Sequence, residues 1–271
     1  KRDVLPKWGK RGIHEIGKRD VNDLLDAVVA RGSHVMANRL LAVLRKLFNW
    51  SVSRGIITAS PCEGLSAPYR EKARDRVLSN DELVTIINTA KQMGGAFGSI
   101  IRMLILTAQR RNEVSEMAWD ELDLDNNQWG IPSSRTKNEK PHTVHLSEQA
   151  AAVVTEVKNI GPFVFTSNGK TPFSGFSKSK KRLDELSGVS EWRLHDIRRT
   201  ATSGMAQHGI QPHIADKILN HQSGTISGVA AVYQRHKFLK ERKTALNAWG
   251  NYVQSLLDKT DRDNVVNIQD R

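Results

Sequence analysis

The hydrophobic pattern of this chain is helical except in one region, and that exception restricts the folds open to it. Before about residue 119 and again from about residue 173, apolar side chains recur mostly at helical spacing. In between, residues 122–124, 129–131 and 142–146 resemble short strands in which apolar and polar side chains alternate. The pattern therefore predicts a mainly α-helical protein that contains one small antiparallel β-sheet.

The first 70 residues predict helices of their own. One apolar stripe contains Val21, Leu24, Leu25 and Val28, and a second contains Leu40, Leu41, Leu44, Leu47 and Phe48. Gly55 and then Pro61 end the second helix. We expect both Phe48 and Trp50 to lie in the core rather than at a binding surface.

A polar and highly charged stretch over residues 66–76 is typical of a linker between domains. Ser79 and Glu82 follow it with the spacing of a capping box, which predicts the start of a new helix. We therefore divide the chain into a helical domain over residues 1–70, a linker over 71–78 and a larger domain over 79–271.

The charge of the chain indicates a polyanionic partner. Its 41 Lys and Arg residues exceed its 29 Asp and Glu residues, which gives a net charge of +12. The excess is concentrated at the start, where residues 1–70 contain 13 basic and 6 acidic residues. A basic domain of this kind is typical of nucleic-acid binding.

Other features exclude several classes of protein. Cys62 is the only cysteine, which rules out an internal disulfide framework and a cysteine-built zinc site and fits a reducing, intracellular compartment. No apolar run has the ~18 residues that a membrane span needs, and no secretory signal is visible. Residue 1 is not Met, and we expect the chain to be part of a longer protein.

Six residues together suggest one chemistry, although each alone has an ordinary structural explanation. They are Arg110, Lys137, His195, Arg198, His221 and Tyr233. Arg110 lies at the junction of two predicted helices, where Glu113 can pair with it. His195 and Arg198 lie three residues apart on one helix face, which suits a phosphate.

This set suits the cleavage of a phosphodiester without a metal ion. Tyr233 can attack the phosphorus and form a phosphotyrosine, while Arg110 and Arg198 neutralise the transition state. Lys137, on a hairpin loop, can protonate the leaving 5′-oxygen. His195 can accept the tyrosyl proton, and His221 can donate a hydrogen bond to a phosphate oxygen. The covalent bond conserves the phosphodiester energy, so we expect neither a metal nor ATP as a cofactor.

At these residues the sequence resembles the tyrosine recombinases, and specifically the integrases of phages and genomic islands. The matching motifs, in the chain order of the family, are TAQRRNEV, SRTKNEKPHTVHL, LHDIRRT, LNH and the tyrosine of AVYQR. The stretch LLAVLRKLFNWSVSRGIITASPCEGL also resembles the end of the helical core-binding domain of that family. The resemblance covers about residues 20–250.

The resemblance implies a site-specific DNA recombinase whose two domains form a C-shaped DNA clamp. Residues 1–70 would be the core-binding domain and residues 79–271 the catalytic domain. A homotetramer would hold two DNA duplexes, with possible accessory DNA-bending or directionality proteins, in the cytoplasm of a bacterial or phage-infected cell. The helix over 240–257 would be donated to a neighbour; alternatively, its stripe of Leu246, Trp249, Val253 and Leu257 packs on its own domain.

Two further sets of residues are assigned from this resemblance and from charge. The candidate DNA contacts are Arg39, Arg45, Lys46, Arg135, Lys140 and Arg199. The alternatives to the six-residue set are Tyr252 as the nucleophile and His213 or His236 in the role of His221.

The sequence departs from the family at a few positions. Ala108 and Asn220 stand where the family usually has Gly, and the interval from His221 to Tyr233 is longer than usual.

Three other functions remain open at this stage. A catalytically silent DNA-binding or architectural protein would retain the basic helices but lose site residues. A metal-dependent nuclease would use His195, Asp196, His208, His213, Asp216 and His221, whose spacing matches no metal motif. A topoisomerase would use the same tyrosine chemistry without site preference.

Overall fold

The computed structural model describes residues 2–72, 74–221 and 236–263, with side chains up to residue 260. The chain forms two compact units, Lys1–Asp75 and Arg76–Arg271. The prediction of a mainly helical protein with one small antiparallel sheet is confirmed.

The described part of the N-terminal unit contains three α-helices and one short 3-10 helix, Ile13–Glu15. The α-helices are α1 (Leu5–Trp8), α2 (Lys18–Ala30) and α3 (His34–Ser53). Its core is formed by Trp8, Val21, Leu24, Leu25, Leu41, Leu44, Phe48 and Cys62. Burial raises the pKa of the Cys62 thiol, as expected for a core residue.

The expectation that Trp50 lies in the core is wrong. Phe48 is fully buried, whereas 51% of Trp50 is exposed. Because each residue turns an α-helix by about 100°, Trp50 lies roughly 200° around α3 from Phe48, on the solvent side. Leu47 is also exposed, so the buried stripe of α3 is narrower than its sequence suggests.

The junction between the units is ordered at both of its ends. The side-chain amide of Asn38 donates to the Tyr69 carbonyl at 2.7 Å and accepts from the Tyr69 N–H at 3.1 Å. The Tyr69 ring stacks on His34. In the C-terminal unit, the Leu78 N–H donates to the Thr200 hydroxyl at 2.9 Å.

The C-terminal unit contains helices α4 to α11 and a three-stranded sheet. The helices are α4 (Asn80–Met93), α5 (Gly95–Thr107), α6 (Arg111–Ser115), α7 (Glu148–Thr155), α8 (Phe176–Ser187), α9 (Leu194–Gln207), α10 (Pro212–Ile218) and α11 (Leu239–Asp263). The capping box that begins α4 is confirmed, since Ser79 and Glu82 each accept the other's backbone N–H.

The sheet has the strand order β1-β2-β3, and both pairs are antiparallel. The strands are β1 (Leu122–Asp123), β2 (Gln128–Ile131) and β3 (His142–His145). Trp129 pairs with Val144 and Ile131 pairs with His142, and these four side chains are buried. The alternating pattern therefore marks one face that packs on the helices.

Helix α11 packs on its own unit. Leu246, Trp249 and Val253 are almost fully buried in the main core, and the Trp249 indole donates to the Ile105 carbonyl at 2.8 Å. Gly204 on α9 allows this contact, because a Cβ at that position would lie 2.2 Å from the Trp249 ring. This is the alternative arrangement expected for the stripe, and exchange of the helix between subunits stays a prediction.

Candidate active site

Arg110 is presented by a sharp turn between α5 and α6. Helix α5 is capped by Ala108, whose φ of 55° lies in the left-handed region, and Arg110 is the N-cap of α6 in an extended conformation. The predicted partner is confirmed: Glu113 accepts from the Arg110 guanidinium at 2.8 Å and from its backbone N–H at 2.9 Å. Since only 3% of Glu113 is exposed, this pair fixes the direction of Arg110.

A second arginine, Arg135, also binds Glu113. Arg135 donates to the Glu113 carbonyl at 2.6 Å and forms an ion pair with Glu121, which also accepts from the Trp129 indole at 3.0 Å. The Arg135 side chain is 17% exposed. Its guanidinium is thus bound to protein groups, although Arg135 also lines the cleft described below, and its assignment as a DNA contact stays a prediction.

Arg198 lies on α9 and is 5% exposed. It donates to the Ala108 carbonyl at 2.6 Å and to the Leu219 carbonyl, so one guanidinium joins the ends of α5 and α10. Burial, followed by the charge of Arg110, lowers its pKa to about 10. Arg198 therefore remains cationic at neutral pH.

The last turn of α10 receives donors from several elements. The Ile218 carbonyl accepts from Gln109 at 3.0 Å and from His142 at 3.0 Å, and the Leu219 carbonyl accepts from Arg198. Helix ends leave such carbonyls without intrahelical partners. In this unit they are satisfied by side chains from α9, from β3 and from the turn after α5, which fixes the position of the chain just before His221.

The two histidines of the predicted set, His195 and His221, both have a pKa below the usual value of 6.5. Burial is the main cause for each, and the charge of Arg198 is the next. His195 is therefore in its neutral form at pH 7 and can accept a proton. The His221 Nδ1 atom lies 3.4 Å from an Asp216 carboxylate oxygen.

Lys137 lies in the loop between β2 and β3. The loop is closed by Thr136, whose hydroxyl donates to the Lys140 carbonyl at 2.8 Å and accepts the Lys140 N–H at 3.1 Å. The side-chain amide of Asn138 reaches Asn220, at the end of α10. These hydrogen bonds hold the loop in a defined conformation.

One open cleft of about 790 Å³ brings much of the predicted set together. Arg110, Lys137, His195 and Arg198 all line it. Phe176 and Lys180 of α8 and Trp192, which precedes α9, also line it. His221 is not among the lining residues, and Tyr233 lies outside the described residues.

The alternative residues lie in other surroundings. The Tyr252 hydroxyl donates to Asn80 at 2.9 Å, and its ring packs against His208 and Trp249. His213 and His236 both contact the Phe238 ring, at 5.1 Å and 4.6 Å between centroids. Within the described ranges, no group of three or more His, Cys, Asp or Glu side chains is arranged to hold a metal ion.

The remaining candidate DNA contacts differ in accessibility. In the N-terminal unit, Lys46 is exposed, Arg39 is 71% exposed and lies 3.5 Å from Glu71, and Arg45 is bound to the Leu65 carbonyl. In the C-terminal unit, Lys140 is exposed, and Arg199 is 38% exposed and lies 4.0 Å from Asp196.

Several residues of the site were not identified from the sequence. Gln109, Asn138 and His142 all bind the end of α10 or the residue that follows Leu219, and although they lie inside the motifs quoted above, none was assigned a role. The available signal was at Ala108 and Asn220, where departures from Gly coincide with φ values of 55° and 51°.

Comparisons with known proteins identify the family of this chain. The family model described as "Phage integrase family" matches residues 76–239, and the "Phage integrase central domain" matches residues 1–67. The chain therefore belongs to the phage integrase family, the class of tyrosine recombinases that its fold resembles.

Relatives share low identity over most of this chain. Prophage integrase IntA of Escherichia coli (strain K12) is 24% identical over 262 residues, which is 94% of this chain and 63% of IntA. Tyrosine recombinase XerD of Bifidobacterium longum (strain NCC 2705) is 24% identical over 81% of this chain and 79% of XerD. The chain thus spans less than two thirds of the length of IntA.

The fold is shared with solved structures. A dimer of lambda integrase (75–356) bound to a COC′ core site has a TM-score of 0.69 at 18% identity and covers 84% of this chain and 86% of that one. A lambda integrase tetramer bound to a Holliday junction has a TM-score of 0.66 at 18% identity, over 80% of this chain and 67% of that one. Of the helices in the described ranges, none combines the length and apolar character needed to cross a membrane.

Proposed function

We propose that this chain is a site-specific DNA recombinase that cleaves and rejoins DNA through a covalent 3′-phosphotyrosine on Tyr233. The observation that carries the proposal is the convergence of Arg110 and Arg198 on one cleft. Burial is the main cause of the lowered pKa of Arg198, and the charge of Arg110 is the next. Two guanidinium groups held together in this way repel each other, and a phosphodiester with its two non-bridging oxygens relieves the repulsion.

Cleavage follows from the remaining groups. The tyrosyl oxygen of Tyr233 attacks the phosphorus, the bond to the 5′-oxygen breaks, and the 3′-phosphate stays on the protein. Neutral His195 accepts the tyrosyl proton, and Lys137 gives a proton to the leaving 5′-oxygen. His221 donates a hydrogen bond to a phosphate oxygen. Attack by a 5′-hydroxyl reverses each transfer and rejoins the strand.

The rest of the chain supplies DNA binding and assembly. Residues 1–70 act as the core-binding domain and residues 79–271 as the catalytic domain, joined by residues 71–78. Arg39, Arg45, Lys46, Lys140 and Arg199 contact DNA, and a homotetramer holds two attachment sites while a mobile element is integrated or excised. Such a substrate places the reaction at the bacterial nucleoid.

Covalent capture tests this proposal. The chain is incubated in EDTA with a nicked duplex that was selected from a random pool by binding to the chain, and a denaturation-resistant adduct is mapped by mass spectrometry. We expect the adduct on Tyr233. The Tyr233→Phe variant should bind the duplex without forming an adduct, and Arg110→Ala or Arg198→Ala should lose about 10²–10³-fold in cleavage and far less in binding.

Two results would contradict the proposal. Cleavage by Tyr233→Phe at the wild-type rate would exclude Tyr233 as the nucleophile. Tight binding by the wild-type chain without any adduct would favour the alternative, a catalytically silent DNA-binding protein.

A further inference from the structure

Two asparagine side chains connect the Lys137 loop to the segment that carries His221. The Asn138 amide donates to the Asn220 side-chain oxygen at 2.8 Å, and the Asn220 amide donates back to Asn138 at 3.3 Å. Asn138 also approaches the Asn220 backbone carbonyl, at 3.4 Å. The two residues are 82 positions apart in the sequence, and the pair is partly buried. This reciprocal amide pair is therefore a tertiary link and not a local turn.

The location of the pair relates it to the proposed chemistry. Asn138 directly follows Lys137, and Asn220 directly precedes His221. The Asn138 side of the pair is rigid, because Thr136 closes the loop through two hydrogen bonds to Lys140. The Asn220 side is rigid too, because Gln109, His142 and Arg198 hold the two preceding carbonyls. The pair thus joins two braced segments, each of which carries one proposed catalytic residue.

The backbone explains why asparagine suits this position. Asn220 has a φ of 51°, in the left-handed region that Gly and Asn adopt more readily than other residues. Gly can adopt the same conformation but has no side chain with which to bind Asn138. Asn220 therefore meets the backbone requirement and adds a link that Gly cannot supply.

We propose that Asn138 and Asn220 are positioning residues that hold the Lys137 amine in the cleft, so that it can protonate the leaving 5′-oxygen. The inference rests on the proposed function. When the bond from phosphorus to the 5′-oxygen breaks, the Lys137 ammonium gives up one proton, which leaves a neutral amine and a free 5′-hydroxyl. Loss of the pair removes the link between the loop and the segment that carries His221, so that the Lys137 amine is positioned less precisely and delivers its proton less often in the correct geometry.

A change of leaving group separates this role from a structural one. Single-turnover adduct formation is measured on the selected duplex, with either oxygen or sulfur at the 5′-bridging position of the scissile phosphate. A thiolate leaves without protonation, so a general acid is not needed on the sulfur duplex. On the oxygen duplex, we expect Lys137→Ala to lose about 10²–10⁴-fold and Asn138→Ala or Asn220→Gly to lose roughly tenfold, as for a displaced catalytic group. All three variants should approach the wild-type rate on sulfur.

The chain offers a matched control. Asn127, in the turn between β1 and β2, also has a left-handed backbone, with a φ of 52°. Asn127→Gly makes the same substitution away from the cleft and should leave both rates unchanged. The double variant Asn138→Ala/Asn220→Gly should be no slower than either single variant, because both substitutions break the same link.

The outcomes distinguish the inference from the proposed function. If Asn138→Ala and Asn220→Gly match the wild type on oxygen, or lose equally on oxygen and sulfur, the positioning role is wrong while the recombinase assignment stands. If the wild-type chain forms no adduct on either duplex, the proposed function fails and the inference fails with it. If the variants are slow on the oxygen duplex but reach the wild-type rate on the sulfur duplex, the result supports both the positioning role and the proposed function.

Discussion

The Arg198 guanidinium donates a hydrogen bond to the Ala108 carbonyl at 2.6 Å, across 90 positions of sequence. Its other arm donates to the Leu219 carbonyl, one residue before Asn220. Ala108 and Asn220 both have left-handed backbones, with φ values of 55° and 51°. Arg198 thus fixes two tight turns while its positive charge lines the cleft, so its structural and proposed catalytic roles depend on the same side chain.

The first prediction concerns the geometry of this guanidinium. Arg198→Lys keeps the positive charge, but a single ammonium group cannot match the planar fork that reaches both carbonyls. We expect the free energy of unfolding to fall by about 2 kcal/mol, as for lost hydrogen bonds to a charged group, and adduct formation to fall by much more than DNA binding. Urea unfolding measures the first effect, and the capture assay measures the second.

Arg199→Lys is the matched control for that stability measurement. Arg199 neighbours Arg198 on α9 but is 38% exposed. Its substitution should change the free energy of unfolding by less than about 0.5 kcal/mol. If both variants lose the same free energy of unfolding, the planar guanidinium of Arg198 makes no special contribution to stability.

The second prediction concerns acid stability. Burial, followed by the charge of Arg242, lowers the pKa of His142 to about 3, against an unperturbed 6.5. Between these two values the unfolded chain binds a proton at this position and the folded chain does not. Protonation of His142 in the unfolded chain therefore leaves the free energy of unfolding unchanged above about pH 6.5. Below that pH it lowers the free energy of unfolding by up to about 1.4 kcal/mol per pH unit, until the pH reaches about 3.

His142→Gln removes this titration and provides the comparison. The free energy of unfolding of the wild type minus that of the variant should fall steadily from pH 7 to pH 4.5. The other titrating groups are common to both proteins and cancel in this difference. The measurement is urea unfolding at a series of pH values. A difference that stays constant with pH would show that His142 does not titrate in this way.

The third prediction separates positioning from DNA contact. Arg135 binds Glu113 and Glu121, whereas Lys140 is exposed on the same loop. Arg135→Gln should reduce adduct formation through Arg110 and leave the salt dependence of DNA binding unchanged. Lys140→Gln should weaken binding and lower the slope of log affinity against log salt by about 0.9, which corresponds to one phosphate contact.

Titration of DNA binding at several salt concentrations decides between these roles. If Arg135→Gln lowers the salt slope as Lys140→Gln does, then Arg135 contacts a phosphate directly, as its sequence position first suggested.

The fourth prediction concerns α3. Phe48 is fully buried and Trp50 is 51% exposed, although they are two residues apart. Phe48→Ala should lower the free energy of unfolding of the N-terminal unit by about 3–5 kcal/mol. Trp50→Ala should change it by about 0.5 kcal/mol or less, as is usual for surface positions. Thermal and urea unfolding of both variants test this contrast, and a large loss for Trp50→Ala would place its indole in the core.

The sequence by itself determined the class of the fold and the family. Helical and alternating periods are local properties of the chain, so the sheet over 122–146, the Ser79 capping box and the pairing of Arg110 with Glu113 could all be predicted from short segments. The order of the six-residue motifs indicated the phage integrase family because that order is itself written in the chain.

Only the tertiary structure decided which polar side chains hold the site together. The contacts of Arg198 with Ala108, of His142 with Ile218 and of Asn138 with Asn220 span 76 to 90 residues. The first two satisfy carbonyls left open at helix ends and the third joins two side chains, and in each case the donor that reaches the acceptor depends on how the elements pack rather than on local spacing. For the same reason the sequence assigned Trp50 to the core, since the apolar character of a side chain alone does not reveal whether it meets solvent.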